Sequence, residues 1–162
     1  MIEISNNIFI GNDYDYYSLD NKDDWCVLHC CKTPFHQTFV GYSGNLSKDH
    51  PNYAYCIKGP EMALNIVDIN MFDKRYLEFN KNMLSEAFKF LDTYKDQKKI
   101  LIHCNQGESR SPSIGMLYIA RNGFFDYDGF EDTYYQFLNI YPNYKPKDNI
   151  FFTVRSLWNY FV

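Results

Sequence analysis

The sequence lacks the features that would place the chain in a membrane, in the secretory pathway or on nucleic acid. It contains no run of about 18 consecutive apolar residues, so no transmembrane helix is expected. The residues after Met1 include no basic stretch leading into an apolar segment, as a secretory signal would. With 16 basic and 20 acidic residues the net charge is −4, which argues against a broad surface for nucleic acid or anionic lipid. We therefore expect a cytoplasmic protein without a membrane or nucleic-acid partner.

The cysteines lack the regular spacing of a disulfide framework. They are odd in number and occur at Cys26, Cys30, Cys31, Cys56 and Cys104. Such a set favours free thiols in a reducing compartment. The group formed by His29, Cys30, Cys31 and His36 fits no common zinc-site spacing. We therefore expect packed thiols there, and neither a metal ion nor a cofactor.

The chain does contain enough apolar residues for one sizeable core. Hydrophobic residues make up 46% of the 162 residues and aromatic residues 19%, spread over the whole length. This length is within the usual range of one domain. No internal repeat or linker is visible, so we expect residues 1–162 to form a single domain.

Strand and helix patterns alternate before giving way to helices alone. Apolar segments predict two strands within residues 2–10 and single strands at 25–28, 62–67 and 99–103. Helical spacing predicts helices at 79–94, 111–122, 130–141 and 150–161. This order predicts an α/β fold with a central, mostly parallel sheet flanked by helices and a helical C-terminal half. Residues 32–60 are rich in Gly, Pro, Asn and Lys and are interpreted as a long, functional surface loop.

The segment from His103 to Ser111 carries the chemistry. A predicted strand leads into it and a predicted helix leaves it, so its backbone amides can surround a tetrahedral anion at a helix N-terminus. Gly107 allows the tight backbone of such a loop, and Arg110 presents a planar fork that can bind two phosphate oxygens. Positive surroundings favour the thiolate of Cys104, which can attack phosphorus and form a phosphocysteine. The expected phosphate loop is Asn105, Gln106, Gly107, Glu108, Ser109 and Arg110.

The pattern His-Cys-x5-Arg-Ser resembles the active-site loop of the cysteine-based protein tyrosine phosphatase superfamily, and the order of elements resembles its dual-specificity branch. Further similarity lies in residues 8–12, 64–68 and 141–152. The loop sequence Cys-Asn-Gln-Gly-Glu-Ser-Arg-Ser-Pro-Ser is similar to that of small bacterial and phage members. The resemblance implies a dual-specificity-phosphatase-like fold and hydrolysis of phosphotyrosine, with phosphoserine and phosphothreonine as further candidate substrates.

The resemblance also implies roles that spacing alone does not reveal. Ser111 would donate a hydrogen bond to the leaving thiolate, and His103 would organise the loop from behind. The family further uses an upstream aspartic acid to protonate the leaving oxygen. Asp68 follows the 62–67 strand, where this acid commonly emerges, whereas Asp73 lies closer to the usual sequence distance from the cysteine. Asp68 is favoured, and Asp73 stays open.

Cys30 is a candidate redox partner of Cys104. Peroxide oxidises an accessible thiolate to a sulfenic acid, which a neighbouring thiol can capture as a disulfide. Cys30 and Cys31 both follow the strand at 25–28, and parallel strands bring their C-terminal ends to the edge that carries the active loop. Cys30 is chosen because members of the lipid phosphatase branch resemble this chain in having a cysteine at the comparable strand end.

The leading interpretation is a protein phosphatase whose partner is a phosphorylated protein substrate, and there are two alternatives to it. A phosphate-binding module that has lost catalysis would lack the Cys, the Arg or the acid, and none is plainly missing. An RNA 5′-phosphatase gains no support from the acidic net charge. A phosphoinositide substrate is disfavoured because the loop carries Asn105, Gln106 and Glu108 where lipid phosphatases often have lysines.

Overall fold

The structure is a computed structural model that describes residues 1–126 and 129–162. Its strands are β1 (Ile2–Ser5), β2 (Ile8–Gly11), β3 (Trp25–His29), β4 (Tyr55–Lys58), β5 (Glu61–Leu64) and β6 (Lys99–His103). Its helices are α1 (Asp13–Tyr17), α2 (Gln37–Val40), α3 (Leu77–Tyr94), α4 (Arg110–Arg121), α5 (Phe130–Ile140) and α6 (Asp148–Phe161). Short turns of 3-10 helix occupy Lys22–Asp24 and Lys74–Tyr76, and an irregular turn, Lys32–His36, precedes α2. None of the described helices is both long enough and apolar enough to span a membrane.

The strands form one sheet in the order β1-β2-β6-β3-β5-β4. The central strands β2, β6, β3 and β5 run parallel, while β1 and β4 form antiparallel edges. The helices α4, α5 and α6 follow the last strand without interruption by another strand among the described residues. The predicted α/β fold, with a mostly parallel sheet, flanking helices and a helical C-terminal half, is confirmed.

Alternate side chains of the central strands point to opposite faces of the sheet, and different elements cover the two faces. On β6, Ile100 and Ile102 belong to the larger apolar cluster, which includes residues of α3, α4 and α6. Leu101 belongs to the smaller cluster, which includes residues of α1 and of the irregular turn. The same alternation sends the side chains of His103 and Cys104 to opposite faces.

Some element boundaries differ from the sequence predictions. β5 ends at Leu64 and does not reach residue 67, because the amide of Ile66 turns back to the Leu64 carbonyl and the amide of Asn65 pairs with Ala54. The segment 32–60 is not a continuous loop, since it contains the irregular turn, α2 and β4, which pairs with β5. Helix α1 was also missed, because 5 residues are too few to show a helical period.

Candidate active site

The loop from Cys104 to Ser109 connects β6 to α4 at the carboxyl ends of the parallel strands. Open α/β sheets bind their ligands at this edge. Because β6 lies between β2 and β3, the loop starts at the centre of the sheet. Helix α4 begins at Arg110, so its N-terminus adds a partial positive charge beside the loop.

The backbone of the loop turns its carbonyl groups outward. The carbonyls of Asn105 and Glu108 accept hydrogen bonds from the amides of Asp13 and Lys145, at 3.4 and 2.7 Å. The carbonyl of Gly107 accepts from a tyrosine hydroxyl at 2.8 Å. Because the N–H of a trans peptide points opposite to its C=O, the amides that follow face the inside of the loop. These inward donors, which suit a tetrahedral anion, belong to Gln106, Glu108 and Ser109.

Gly107 is required for two separate reasons. Its φ of 73° lies in the left-handed region, where residues with a Cβ are strained. A Cβ at this position would also lie 2.9 Å from the carbonyl oxygen of Gly11. Any other residue would therefore push the loop away from the end of β2.

Cys104 lies at the base of the loop and is 1% exposed. Its Sγ lies 3.2 Å from the hydroxyl of Ser111, which also lies 3.3 Å from the carbonyl oxygen of Gly11. The hydroxyl has one proton, and donation to sulfur is favoured when Cys104 is a thiolate. This geometry matches the role that the resemblance implies for Ser111.

Arg110 and Asp68 lie together above the loop. The guanidinium of Arg110 donates to Oδ1 of Asn105 at 2.7 Å, and its Nε lies 3.6 Å from Oδ2 of Asp68. Oδ1 of Asp68 accepts a hydrogen bond from the hydroxyl of Ser109 at 2.7 Å. A phosphate dianion would compete with Asn105 and Asp68 for Arg110, because it offers more strongly charged acceptors in a bidentate arrangement.

A cavity of about 360 Å³ opens above the loop and is called the phosphate pocket below. Asp68, Asn105, Gln106 and Arg110 line it together with Lys32 and Lys147. The two lysines add positive charge at a protein surface whose net charge is negative, at −4. The phosphate pocket therefore attracts an anion although the chain as a whole does not.

Asp73 does not line the phosphate pocket but belongs to the wall of a neighbouring cavity. Its carboxylate caps the turn Lys74–Tyr76 and accepts hydrogen bonds from the Arg75 side chain at 2.6 to 3.0 Å. These hydrogen bonds lower the pKa of Asp73. Asp68 lines the phosphate pocket and Asp73 does not, so position favours Asp68 over Asp73 as the proton donor.

His103 is fully buried beneath the loop and ends a chain of polar side chains. Its Nε2 lies 2.6 Å from Nδ1 of His29, whose Nε2 lies 2.8 Å from Oε2 of Glu61. Burial lowers the pKa of His29 to about 4, so this ring is neutral at pH 7. Glu61 accepts the Nε2–H of His29, which leaves Nδ1 of His29 to accept the Nε2–H of His103. The chain thereby fixes the orientation of the His103 ring, and the other ring nitrogen lies 3.5 Å from Asp13.

Cys30 lies beside Cys104 on the neighbouring strand end. The register of β3 and β6 pairs His29 with His103, and the amide of Cys30 donates to the His103 carbonyl at 2.8 Å. Neighbouring strands lie roughly 4.8 Å apart, which is within the roughly 7 Å that a disulfide can join. Both cysteines belong to the larger apolar cluster, whereas Cys31 belongs to the smaller one. Burial raises the pKa of Cys30 well above its ordinary value.

The segment before α6 closes the site, and the sequence analysis did not identify its contacts. The hydroxyl of Tyr141 and the amide of Lys145 hold two loop carbonyls. The amide of Lys147 donates to the hydroxyl of Ser109 at 3.0 Å, and its Nζ lies 3.4 Å from the carbonyl of Asp68. Lys147 thus links the loop to the candidate acid. The only sequence feature that could have pointed to Lys147 was its position in the 141–152 region, which resembles the phosphatase family.

Among residues 1–126 and 129–162, no group of at least 3 His, Cys, Asp or Glu side chains is placed to hold a metal ion. The cysteines of the chain are free thiols, and all are buried.

Solved structures of phosphatases are among those with a similar fold. The chain resembles DUSP15 at 15% identity, with a TM-score of 0.66 over 98% of this chain and 86% of that one. It resembles human DUSP28 at 10% identity, with a TM-score of 0.66 over 99% and 96%. The Cydia pomonella PTP-2 phosphatase matches at 17% identity, with a TM-score of 0.62 over 96% and 88%. The fold is that of the dual-specificity branch of the cysteine-based tyrosine phosphatases, as the loop resemblance implies.

The comparisons of the whole sequence identify no relative of the chain. No protein-family model matches the chain, and no curated protein matches it in sequence. At 10 to 17% identity the structural likeness establishes the fold. The activity has to be argued from the site.

Proposed function

We propose that the protein is a phosphoric monoester hydrolase that removes phosphate from phosphoproteins through a phosphocysteine on Cys104. Its main substrate is phosphotyrosine, with phosphoserine and phosphothreonine as further substrates. The observation that carries the proposal is the hydroxyl of Ser111 at 3.2 Å from Sγ of Cys104, inside a loop whose amides face inward. A module that only binds phosphate would use the amides and Arg110, but it would have no need of a stabilised thiolate.

The first chemical step transfers the phosphoryl group to sulfur. The amides of Gln106, Glu108 and Ser109 and the guanidinium of Arg110 hold three phosphate oxygens. The thiolate of Cys104 attacks phosphorus, and the bond from phosphorus to the substrate oxygen breaks. Asp68 protonates that oxygen as it leaves, since it lies on the wall of the phosphate pocket.

The second step returns the enzyme to its starting state. Asp68, now a carboxylate, takes a proton from a water molecule that attacks phosphorus. The sulfur–phosphorus bond breaks, and the electron pair returns to Sγ of Cys104. Ser111 stabilises this leaving thiolate through its hydroxyl, while the inward amides hold the phosphate until it departs.

The activity is tested by steady-state kinetics with four substrates of different classes. They are para-nitrophenyl phosphate, a phosphotyrosine peptide, a phosphoserine peptide, and a 5′-triphosphorylated RNA. We expect the highest kcat/KM among the biological substrates for the phosphotyrosine peptide. Faster release of phosphate from RNA would overturn the proposed substrate class, and binding of the peptides without turnover of any substrate would indicate a phosphate-binding module.

Replacement of Arg110 by lysine is expected to lower kcat/KM for para-nitrophenyl phosphate more than tenfold. A lysine ammonium is a point charge and cannot bind two phosphate oxygens in the bidentate manner of a guanidinium. Tenfold corresponds to about 1.4 kcal/mol of transition-state stabilisation. Arg121→Lys is a matched control, because Arg121 is a helical arginine paired with Asp92 and distant from the loop in sequence. Retention of more than a tenth of the rate by Arg110→Lys would contradict the bidentate role.

Mild peroxide is expected to inactivate the protein reversibly through a disulfide between Cys30 and Cys104. Peroxide converts the Cys104 thiolate to a sulfenic acid, and the sulfur of Cys30 then displaces hydroxide, which leaves as water after protonation. Because burial raises the pKa of Cys30, this capture should become faster as the pH is raised. Peptide mapping before and after dithiothreitol treatment measures both the link and its reversal.

The two adjacent cysteines provide a matched pair for this experiment. Cys30 and Cys31 are both 0% exposed, but their side chains belong to different apolar clusters on opposite faces of the sheet. Cys30→Ser should make the inactivation irreversible, and Cys31→Ser should leave the recovery unchanged. A Cys31–Cys104 peptide, or overoxidised Cys104 without recovery in the unmodified protein, would show that Cys30 is not the partner.

A further inference from the structure

A second, larger cavity lies directly beside the phosphate pocket and has no part in the mechanism above. Its volume is about 540 Å³, against about 360 Å³ for the phosphate pocket. Both cavities are lined by Lys32, Ile66, Val67 and Ile69, so the segment 66–69 is a wall that they share. Whatever occupies the second cavity therefore lies next to the group that carries the phosphate.

The wall of the second cavity is predominantly apolar. Its apolar lining includes Leu46, Phe72, Phe79, Met83, Leu84 and Ile150. The floor belongs to the core, with Met83 and Leu84 each 1% exposed, whereas Met71 at the rim is 66% exposed. Binding of a ligand that removes this exposed apolar surface from water is favourable.

The polar groups of the wall indicate what kind of apolar ligand fits. Amide side chains of Asn65, Asn80 and Asn149 interrupt the apolar lining. The amide of Asn80 has only a long contact, 3.4 Å, to the hydroxyl of Thr153. The amides of Asn65 and Asn149 already donate to backbone carbonyls, at 2.8 and 2.6 Å, so the argument rests on Asn80. A peptide can offer a backbone partner to the Asn80 amide, whereas a lipid acyl chain would remove it from water without a better one.

The charges at the rim favour an acidic ligand over a basic one. Lys32 and Lys48 line the cavity, and the carboxylate of Asp73 is neutralised by Arg75 at 2.6 Å. Lys147 adds a further positive charge at the adjoining phosphate pocket. A phosphopeptide with acidic residues near its phosphorylated side chain complements this arrangement.

We propose that the second cavity is a specificity site that binds an apolar side chain flanking the phosphorylated residue of the substrate, with a preference for acidic over basic neighbours. The proposal rests on the proposed function, because the shared wall links the cavity to the phosphate pocket. The flanking side chain contributes binding energy in the ground state and the transition state alike. Its effect should therefore be found mainly in KM.

The test measures kcat/KM for phosphotyrosine peptides that carry leucine, serine or lysine at each flanking position in turn. We expect leucine to be preferred over serine by about tenfold at one fixed position, as for other apolar specificity pockets. Each value is divided by kcat/KM for para-nitrophenyl phosphate, which has no flanking side chain. Met71→Asp should abolish most of the leucine preference in this ratio.

A matched control separates a specific effect from a general one. Tyr135→Asp places the same charge on α5, at a side chain that is 67% exposed and outside the cavity lining. It should keep the leucine preference of the unmodified protein. Equal rates for leucine and serine at every position, with full turnover of para-nitrophenyl phosphate, would overturn the specificity site and leave the phosphatase intact. Absence of turnover of any substrate would instead overturn the proposed function.

A lipid substrate is a further outcome of the same experiment. Vesicles of phosphatidylcholine containing a phosphoinositide present acyl chains and a phosphate together. Hydrolysis of this lipid faster than the best peptide, with loss of that advantage in Met71→Asp, would show that the cavity takes an acyl chain and would overturn the peptide assignment.

Discussion

Cys104→Ser is expected to lose hydrolysis of every phosphate monoester, by roughly 10⁴-fold or more. A serine hydroxyl is a far weaker nucleophile than a thiolate, and the hydrogen-bond partner of the Cys104 sulfur, the hydroxyl of Ser111 at 3.2 Å, is not a base. The inward amides and Arg110 are unchanged in this variant. It should therefore still bind a phosphotyrosine peptide with an affinity similar to the unmodified protein.

Two controls make this result specific. Cys31→Ser removes another fully buried cysteine at the same edge of the sheet and should retain activity. Thermal unfolding of both variants tests whether either substitution disturbs the fold. Activity of Cys104→Ser comparable to that of the unmodified protein would exclude the cysteine mechanism.

Asp68→Asn is expected to slow the hydrolysis of phosphotyrosine and phosphoserine peptides by roughly 10² to 10⁴, the usual contribution of general acid catalysis. Para-nitrophenyl phosphate should be affected less, because its leaving group needs little protonation. Ser109 donates a hydrogen bond of 2.7 Å to Asp68 in the unmodified protein. An asparagine can still accept this hydrogen bond, so the loop should keep its conformation. The difference between substrates distinguishes a lost proton donor from a damaged loop.

Asp73→Asn is the matched control for the acid. Asp73 lines the second cavity and is paired with Arg75, so its substitution should change kcat for these peptides by less than about twofold, within the range of surface substitutions. If Asp73→Asn reproduced the leaving-group dependence and Asp68→Asn did not, the order favoured by the geometry would be reversed.

The strand–loop–helix arrangement of the candidate phosphate loop could be predicted from the sequence because it is local. Cys104, Gly107, Arg110 and Ser111 lie within eight positions of one another, between a clear strand and a clear helix. The parallel character of the sheet followed from the alternation of strands and helices. The position of the loop between strand and helix and the fold class could therefore be inferred without any long-range contact.

The support of the loop could not be predicted, because it depends on residues that are distant in sequence. His29 is separated from His103 by 74 positions, and Tyr141 from Gly107 by 34. His29 was considered in the sequence analysis only as a member of a group that fits no common zinc-site spacing, although His29-Cys30 repeats the dipeptide His103-Cys104. Only the placement of β3 beside β6 shows that the two His-Cys dipeptides lie side by side.

The choice between the two candidate acids also could not be made from the sequence alone. Sequence distance favoured Asp73 and strand-end position favoured Asp68, although β5 in fact ends at Leu64. The path of the segment between them is determined by the turn that Asp73 caps and by contacts of Asn149 with residues 67 and 69. These contacts carry no local sequence pattern.

The most direct test of the central claim is detection of the covalent intermediate. The unmodified protein is mixed with a phosphotyrosine peptide, quenched within milliseconds by denaturant at alkaline pH, digested at that pH, and analysed by mass spectrometry for phosphorylated peptides. The account predicts one phosphate on the sulfur of Cys104 during turnover, and none in Cys104→Ser. Turnover without a phosphorylated enzyme, or phosphate on another side chain such as His103, would contradict it.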